Sequence, residues 1–287
     1  MLEKCYYINH LGEKIVFGPE SGIYLNYNDL RDFSFAVTSN SNRIKSLSRT
    51  QIVTKKLPLV IAIDSEGADE IKNKLYETLA KDSVNNKYGR IYIGECYYQC
   101  FMTGNKKSDY LIKKGYLKVD LEMSTDRPYW VREIVSKDFD PDGIITNRVG
   151  YAVVGYARVS GSPEEIIPGT IFDDETKGAS ITNTHFTECD CEIIVNGPAE
   201  NPYIMIGANV YNIDVDVASG QQLKINTKTK EIKLINNAGA ETNVFMYRNK
   251  EHDAFEKIKM GYNRVLWNGS YTITITLLEE RDEALWI

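Results

Sequence analysis

No stretch of this chain stays apolar for the ~18 residues that a membrane-crossing helix requires. The start, Met1-Leu2-Glu3-Lys4-Cys5, lacks the apolar centre of a secretory signal, so synthesis and residence in a cytoplasm are expected. Positive charge is also short: 34 Lys and Arg stand against 40 Asp and Glu, a net charge of −6. Holding a phosphate backbone takes clustered Lys and Arg, so DNA that meets this chain is expected to slide past it. Cysteines are few and odd in number, at Cys5, Cys96, Cys100, Cys189 and Cys191, which excludes a disulfide framework of the secreted kind and leaves reduced thiols. Histidine is scarcer still. His10, His185 and His252 lie far apart without nucleophile–base spacing, and they read as turn or surface residues. G-x-S-x-G, H-E-x-x-H and Walker sequences are absent.

What is present is an ordinary folded composition, with 43% hydrophobic and 26% charged residues over 287 positions. That length favours two domains, because single cores stop growing near ~250 residues. The 19 tyrosines, with many Thr, Val and Ile, favour pleated half-buried surfaces and hence a mainly β chain.

Along the first half, Tyr6 to Ile8 and Lys14 to Phe17 read as strands around a turn at Asn9 to Gly12, and Ile23 to Tyr27 as another strand. Leu57 to Ile63 is an almost continuous apolar run, as expected of a strand covered on both faces. The period then changes. Ile71, Leu75 and Leu79 recur every four residues, predicting a helix capped by Asp64 or Ser65. Gly89 to Gly94, Glu95 to Met102 and Tyr116 to Met123 return to strand alternation.

Residues Ser136 to Asn147 hold Pro141-Asp142-Gly143 and no sustained period, which makes this stretch the expected linker. The expected division is a first domain over 1–137, a linker over 138–149 and a second domain over 150–287. In the second, Thr187 to Val195, Tyr203 to Ile206, Tyr211 to Val217, Gln222 to Asn226 and Glu231 to Ile235 are short alternating strands of the sandwich kind. Tyr271, Ile273, Ile275 and Leu277 alternate with threonines after Asn268-Gly269, which reads as a terminal hairpin with a bulged loop that aligns Val265 with the apolar face.

Three constellations invite chemistry. Asp138-Phe-Asp140-Pro-Asp142-Gly143 opens like a calcium loop, but Val149 stands where a bidentate Glu belongs, so it reads as charged linker. Cys96 with Cys100, and Cys189 with Cys191, fail the two-pair spacing of zinc sites. Strand parity makes them buried small hydrophobes, with Glu188, Asp190 and Glu192 pointing the other way. Asp173-Asp174 and Asp214 with Asp216 read as solvated carboxylates rather than a glycosidic acid/base pair. No catalytic, cofactor-binding or metal-ligating residue is nominated, and no cofactor is expected.

The segments Leu79-Ala-Lys-Asp82, Gly89-Arg-Ile-Tyr-Ile-Gly94-Glu-Cys-Tyr-Tyr-Gln-Cys100, Val119-Asp-Leu-Glu-Met and Asp126-Arg-Pro128-Tyr129-Trp130 resemble the N-terminal domain of phage distal tail proteins. Asn183, Ile193 to Gly197, Asn201-Pro202-Tyr203-Ile204-Met205-Ile206-Gly207, Gly220 to Thr227, and Gly261 through Trp267-Asn-Gly269 to Ile287 resemble that family's C-terminal domain. The family's "IDT" stands here as Ile225-Asn226-Thr227 and its terminal "RSEP" as Arg281-Asp-Glu-Ala284. The resemblance implies an N-terminal split β-barrel that forms a ring and carries one helix, followed by a C-terminal galectin-like β-sandwich. It further implies a non-enzymatic adaptor at the virion tail tip. Six copies would form a ring through which DNA passes, between the tail tube protein and the hub, receptor-binding or fibre proteins, with no membrane partner. Sheet edges of the first hairpin, Tyr6 to Phe17, and of Gly89 to Met102 are the expected ring contacts. The alternative is a carbohydrate-binding module or glycan-acting accessory protein with Trp267 or Tyr203 stacking on a sugar, although fold alone does not establish sugar binding.

Overall fold

In the computed structural model, which describes residues 4–49, 52–62, 68–111, 115–139, 177–268 and 271–286, period-two segments become strands and the period-four segment becomes a helix. The chain divides into two units: Met1–Arg132 with Glu280–Ile287, and Glu133–Glu279. The expected linker, 138–149, lies almost wholly outside the described residues, as do the helix cap at Asp64 and Ser65, the would-be calcium loop and Asp173-Asp174. The return of Glu280–Ile287 to the first unit has no counterpart in the sequence division.

The first unit holds β1 (Cys5–Ile8), β2 (Lys14–Phe17), β3 (Ile23–Leu25), β4 (Phe35–Asn40), β5 (Arg43–Arg49), β6 (Val53–Ala62), α1 (Ala68–Val84), β7 (Gly89–Ile93), β8 (Cys96–Leu111), β9 (Tyr116–Thr125) and the start of β10 (Trp130–Phe139). Antiparallel pairing runs β2-β1-β7-β8-β9-β6-β3. A bridge between Gly18 and Ile23 brings β3 back to the end of β2 and closes a barrel. The long strand β8 makes this possible. Its first part, Cys96 to Cys100, pairs with β7, and its continuation from Phe101 pairs with β9 through two register shifts. Such bulges bend a strand and let it serve two directions.

Inward alternation fills the barrel with Tyr7, Ile15, Leu57, Leu59, Ile61, Ile91, Cys96, Tyr98, Cys100, Val119, Leu121 and Met123. The β6 run therefore differs from the two-faced burial expected of it. Leu57, Leu59 and Ile61 are buried, whereas Pro58 and Val60 on the outer face are half-buried. The helix covers the barrel with Ile71, Leu75 and Leu79. Its far end is tied by Asp82, fully buried, which accepts hydrogen bonds from the Tyr7 hydroxyl at 2.5 Å and the His10 main-chain N–H at 2.8 Å and meets the His10 ring. Gly89 passes so close that a Cβ there would lie 1.8 Å from the Tyr7 hydroxyl oxygen, so glycine is required by close approach.

The second unit holds the rest of β10, then β11 (Lys177–Asn183), β12 (Asp190–Asn196), β13 (Tyr203–Ile206), β14 (Asn209–Asn212), β15 (Gln222–Asn226), β16 (Glu231–Ile235), β17 (Glu241–Asn243), β18 (Gly261–Trp267) and most of β19 (Thr272–Arg281). Two sheets form, β17-β16-β15-β12-β19-β10 and β11-β18-β13-β14. Their inner faces, including Ile193, Val195, Ile204, Leu223, Ile225, Val265, Trp267, Ile273 and Ile275, make one core. This is the mainly β architecture with a sandwich that the sequence led us to expect.

The terminal hairpin is corrected. β18 pairs with β11 and β13, while β19 pairs with β12 in the other sheet, so the two strands face each other across the core instead of lying side by side. Alternation is the same in either arrangement, because an inward apolar face serves a hairpin and an arch between sheets equally well. The bulged loop itself, at 269–270, lies outside the described residues.

Candidate assembly surface

Between β3 and β6 the chain makes a two-stranded excursion whose sequence is patterned for burial. β4 and β5 pair as Phe35 with Arg49, Val37 with Leu47, and Ser39 with Ile44, the register shifting between Thr38 and Ser39. One face therefore carries Phe35, Val37, Ile44 and Leu47, and the other Ala36, Thr38, Ser46 and Ser48. The turn has Ser41 and Asn42 at φ of 44° and 67°, the left-handed pair that matches the right-handed twist of two strands joined tightly. The apolar face is nonetheless open: Val37, Ile44 and Leu47 are 56, 68 and 58% exposed. Among the described residues no third strand pairs with either edge. An isolated two-stranded ribbon is marginal in water, and contiguous exposed apolar surface marks a contact site.

The root is anchored where the tip is not. The Arg49 guanidinium lies against the Phe33 and Phe35 rings, at 4.8 and 5.0 Å, and its Nε donates to the Asp282 carboxylate at 2.8 Å. Arg31 donates to the Ala284 and Leu285 carbonyls and stacks on Trp286 at 3.9 Å. The returning segment thus clamps both ends of the stretch from which the hairpin springs. The hairpin is basic: residues 35–49 contain Arg43, Lys45 and Arg49 and no acid, leaving 31 basic against 40 acidic residues elsewhere.

Of the strand edges expected from sequence as contacts, those of β1, β7 and the start of β8 are already used, whereas among the described residues β2 pairs along its length with β1 alone. β1 lies between β2 and β7, β7 between β1 and β8, and the start of β8 between β7 and β10. Pairing with their neighbours consumes those edges, which sequence alternation cannot reveal. The hairpin itself was legible as F-A-V-T-S-N followed by R-I-K-S-L-S-R around Ser41-Asn42, but the reading of the sequence passed over it.

The chemical candidates resolve as follows. Cys96, Cys100, Cys189 and Cys191 are all buried on strand faces or beside them. Burial pushes the Cys191 thiol up to about 12 and the Cys189 thiol up to about 11, so both stay protonated near neutral pH and are poor nucleophiles. Asp190 is a correction. It is buried rather than outward, accepting from Thr227 at 2.9 Å and pairing with Lys257 at 2.9 Å. His185 is another, since it is buried with its Nε2 3.4 Å from Glu279 and its Nδ1 2.9 Å from the Thr187 hydroxyl. His10 sits at a turn, bound to Asp82, and His252 is exposed. Asp214 and Asp216 are exposed as expected, but they follow β14, which ends at Asn212, instead of lying on a strand. Trp267 is fully buried with its Nε1 donating to the Tyr271 carbonyl at 3.1 Å, so it has no face to offer a sugar. Among the described residues no group of three or more His, Cys, Asp or Glu is placed to hold a metal ion.

Among the described residues these features define a class: a mainly β chain whose closed barrel carries one helix and an unpartnered hairpin, joined to a two-sheet sandwich. No family model matches the chain, and no curated protein matches it in sequence. Its fold is that of phage tail-tip proteins of known structure. The Dit protein of phage SPP1, presented as a paradigm of the hub adsorption apparatus in phages infecting Gram-positive bacteria, matches with a TM-score of 0.54 at 11% identity, covering 97% of this chain and 100% of that one. Chains of the phage P2 baseplate in its activated conformation match with a TM-score of 0.62, at 13% identity in the calcium form and 12% in the strontium form, each covering 99% of this chain and 100% of the other.

Proposed function

We propose that this chain is a non-enzymatic structural component of a phage or phage-like tail tip. Six copies close through their barrel units into a ring around a channel for DNA. One face of that ring meets the tail tube and the other the hub, and the sandwich unit meets fibre or receptor-binding proteins. Such a chain is made in the cytoplasm of the bacterial host and ends in the virion.

The observation that carries this reading is the β4–β5 hairpin, whose apolar face is patterned for a cover that the described residues of its own unit do not provide. A closed ring needs two different faces of each subunit to meet, and a basic hairpin on an otherwise acidic chain supplies one face with charge suited to another. The whole-length likeness to baseplate proteins supports the same assignment. The acidic balance suits a conduit, because a lumen rich in Lys and Arg would hold phosphates.

Negative-stain images and light scattering of the purified chain at high concentration test this. Rings with a central hole are expected. A chain that stays monomeric and also fails to bind a tail-tube or hub partner would overturn it.

A further inference from the structure

A small cavity in the barrel unit brings together donors that the protein leaves unused. Its volume is about 240 Å³, and its walls include Asp29, Asp32, Arg49, Lys55, Tyr98 and Asp282. Strand alternation on β8 turns Tyr98 inward against Trp130, with ring centroids 5.2 Å apart. Tyr98 is 2% exposed, and among the described residues its hydroxyl has no hydrogen-bond partner. Lys55 is 6% exposed, and its ammonium donates to the main-chain oxygens of Asp29 at 2.7 Å and Asp32 at 2.5 Å. An ammonium has three hydrogens, so one remains. Arg49 engages Asp282 through Nε and Nη2, which leaves Nη1.

Charge is graded with depth. The side chain of Arg49 is 8% exposed, whereas that of Asp282 is 39% exposed and Asp32 is exposed, so water screens the acids more than the cations. Burial also holds the Lys55 ammonium below the ordinary lysine value, with nearby Asp29 and Asp32 opposing that shift. A water takes up ~30 Å³ and could satisfy the hydroxyl, whereas an oxyanion could also take the hydrogens that Arg49, already paired with Asp282, and Lys55, beside Asp29 and Asp32, have left over. The leftover groups are donors, and the deep charges are positive.

We propose that this cavity binds a small oxyanion, a carboxylate or a phosphate, charge-paired by Lys55 and Arg49 and oriented by a hydrogen bond from the Tyr98 hydroxyl. Charge-assisted bonds of this kind are the strong ones, and a guanidinium fits either oxyanion.

The test uses the full chain, titrated in separate arms with inorganic phosphate and with acetate, against sodium chloride at equal ionic strength, reading melting temperature and, for phosphate, the ³¹P line width. A saturable rise with phosphate or acetate and none with chloride is expected, and whichever arm saturates identifies the oxyanion geometry. Tyr98→Phe keeps the ring and removes only the hydroxyl, and it should weaken the anion about tenfold to a hundredfold. Arg49→Gln should weaken it as well. Half-saturation above about 10 mM in both arms would overturn the proposal. So would an equal response in Tyr98→Phe, which would mean a general salt effect and a tolerated unpaired hydroxyl.

Discussion

The hairpin β4–β5 and the pair β15–β16 of the sandwich carry the same alternation and opposite fates. In β15–β16, Leu223, Ile225 and Ile232 are wholly buried, because the β11-β18-β13-β14 sheet lies across the core from them. In β4–β5, Val37, Ile44 and Leu47 face solvent. Period two therefore states which face wants to leave water, and it is silent on what will cover that face. Where the cover is intramolecular the face becomes core, and where it is absent the face is a candidate interface.

Replacing a core residue and replacing an exposed hairpin residue should accordingly have opposite readouts. The largest effect is expected from Trp267→Ala, which removes a fully buried aromatic and should cost ~3 to 5 kcal/mol in chemical denaturation, with loss of folded sandwich signal. A folded variant that had instead lost a measurable glycan affinity would shift the reading toward a lectin-like protein.

Ending the chain at Glu279 removes the segment that clamps the hairpin root. Arg49 would lose its carboxylate, and Ala284 would leave the barrel core. A loss of ~1.5 to 3 kcal/mol in the first unit is expected from the charged hydrogen bonds alone. Limited proteolysis sharpens the same point. Cuts are expected within 138–149, and a fragment ending there should be less stable than the same unit in the whole chain.

Changing Val37 and Leu47 to Ser should leave monomer stability within ~0.5 kcal/mol while abolishing rings. A large stability loss with rings intact would show that the face is covered within the subunit, and the comparison with β15–β16 would fail.

The smallest effect concerns Glu13, whose carboxylate accepts from Lys81 at 2.5 Å and from Asn9 at 2.7 Å and is held below its usual value of 4.5 by those bonds. A depressed carboxylate contributes stability above its unfolded value and loses it as pH falls through the folded one. Glu13→Gln should therefore lower stability slightly at neutral pH and flatten the profile below pH 4.5, the two curves converging at the acid end where Glu13 is protonated.

Local geometry followed from the residue pattern alone. Side-chain period depends on near neighbours alone, so Ile71, Leu75 and Leu79 were readable as one helix face, and Ile193 with Val195 as one strand face. That pattern also placed the buried thiols of Cys96, Cys100, Cys189 and Cys191. Pairing depends on residues far apart in the chain, and it emerges only when the chain is folded. Pairing with β2, with one another and with β10 consumed both edges of β1, β7 and the start of β8. Separation of β18 and β19 into different sheets replaced a hairpin with an arch. His185 and Asp190 found Glu279 and Lys257, partners 94 and 67 positions away, and that buried two groups whose polarity alone assigns them to water. The meeting of Lys55, Arg49 and Tyr98 around one cavity is of the same kind, because three separate strands supply them and no local pattern records which strands will be neighbours.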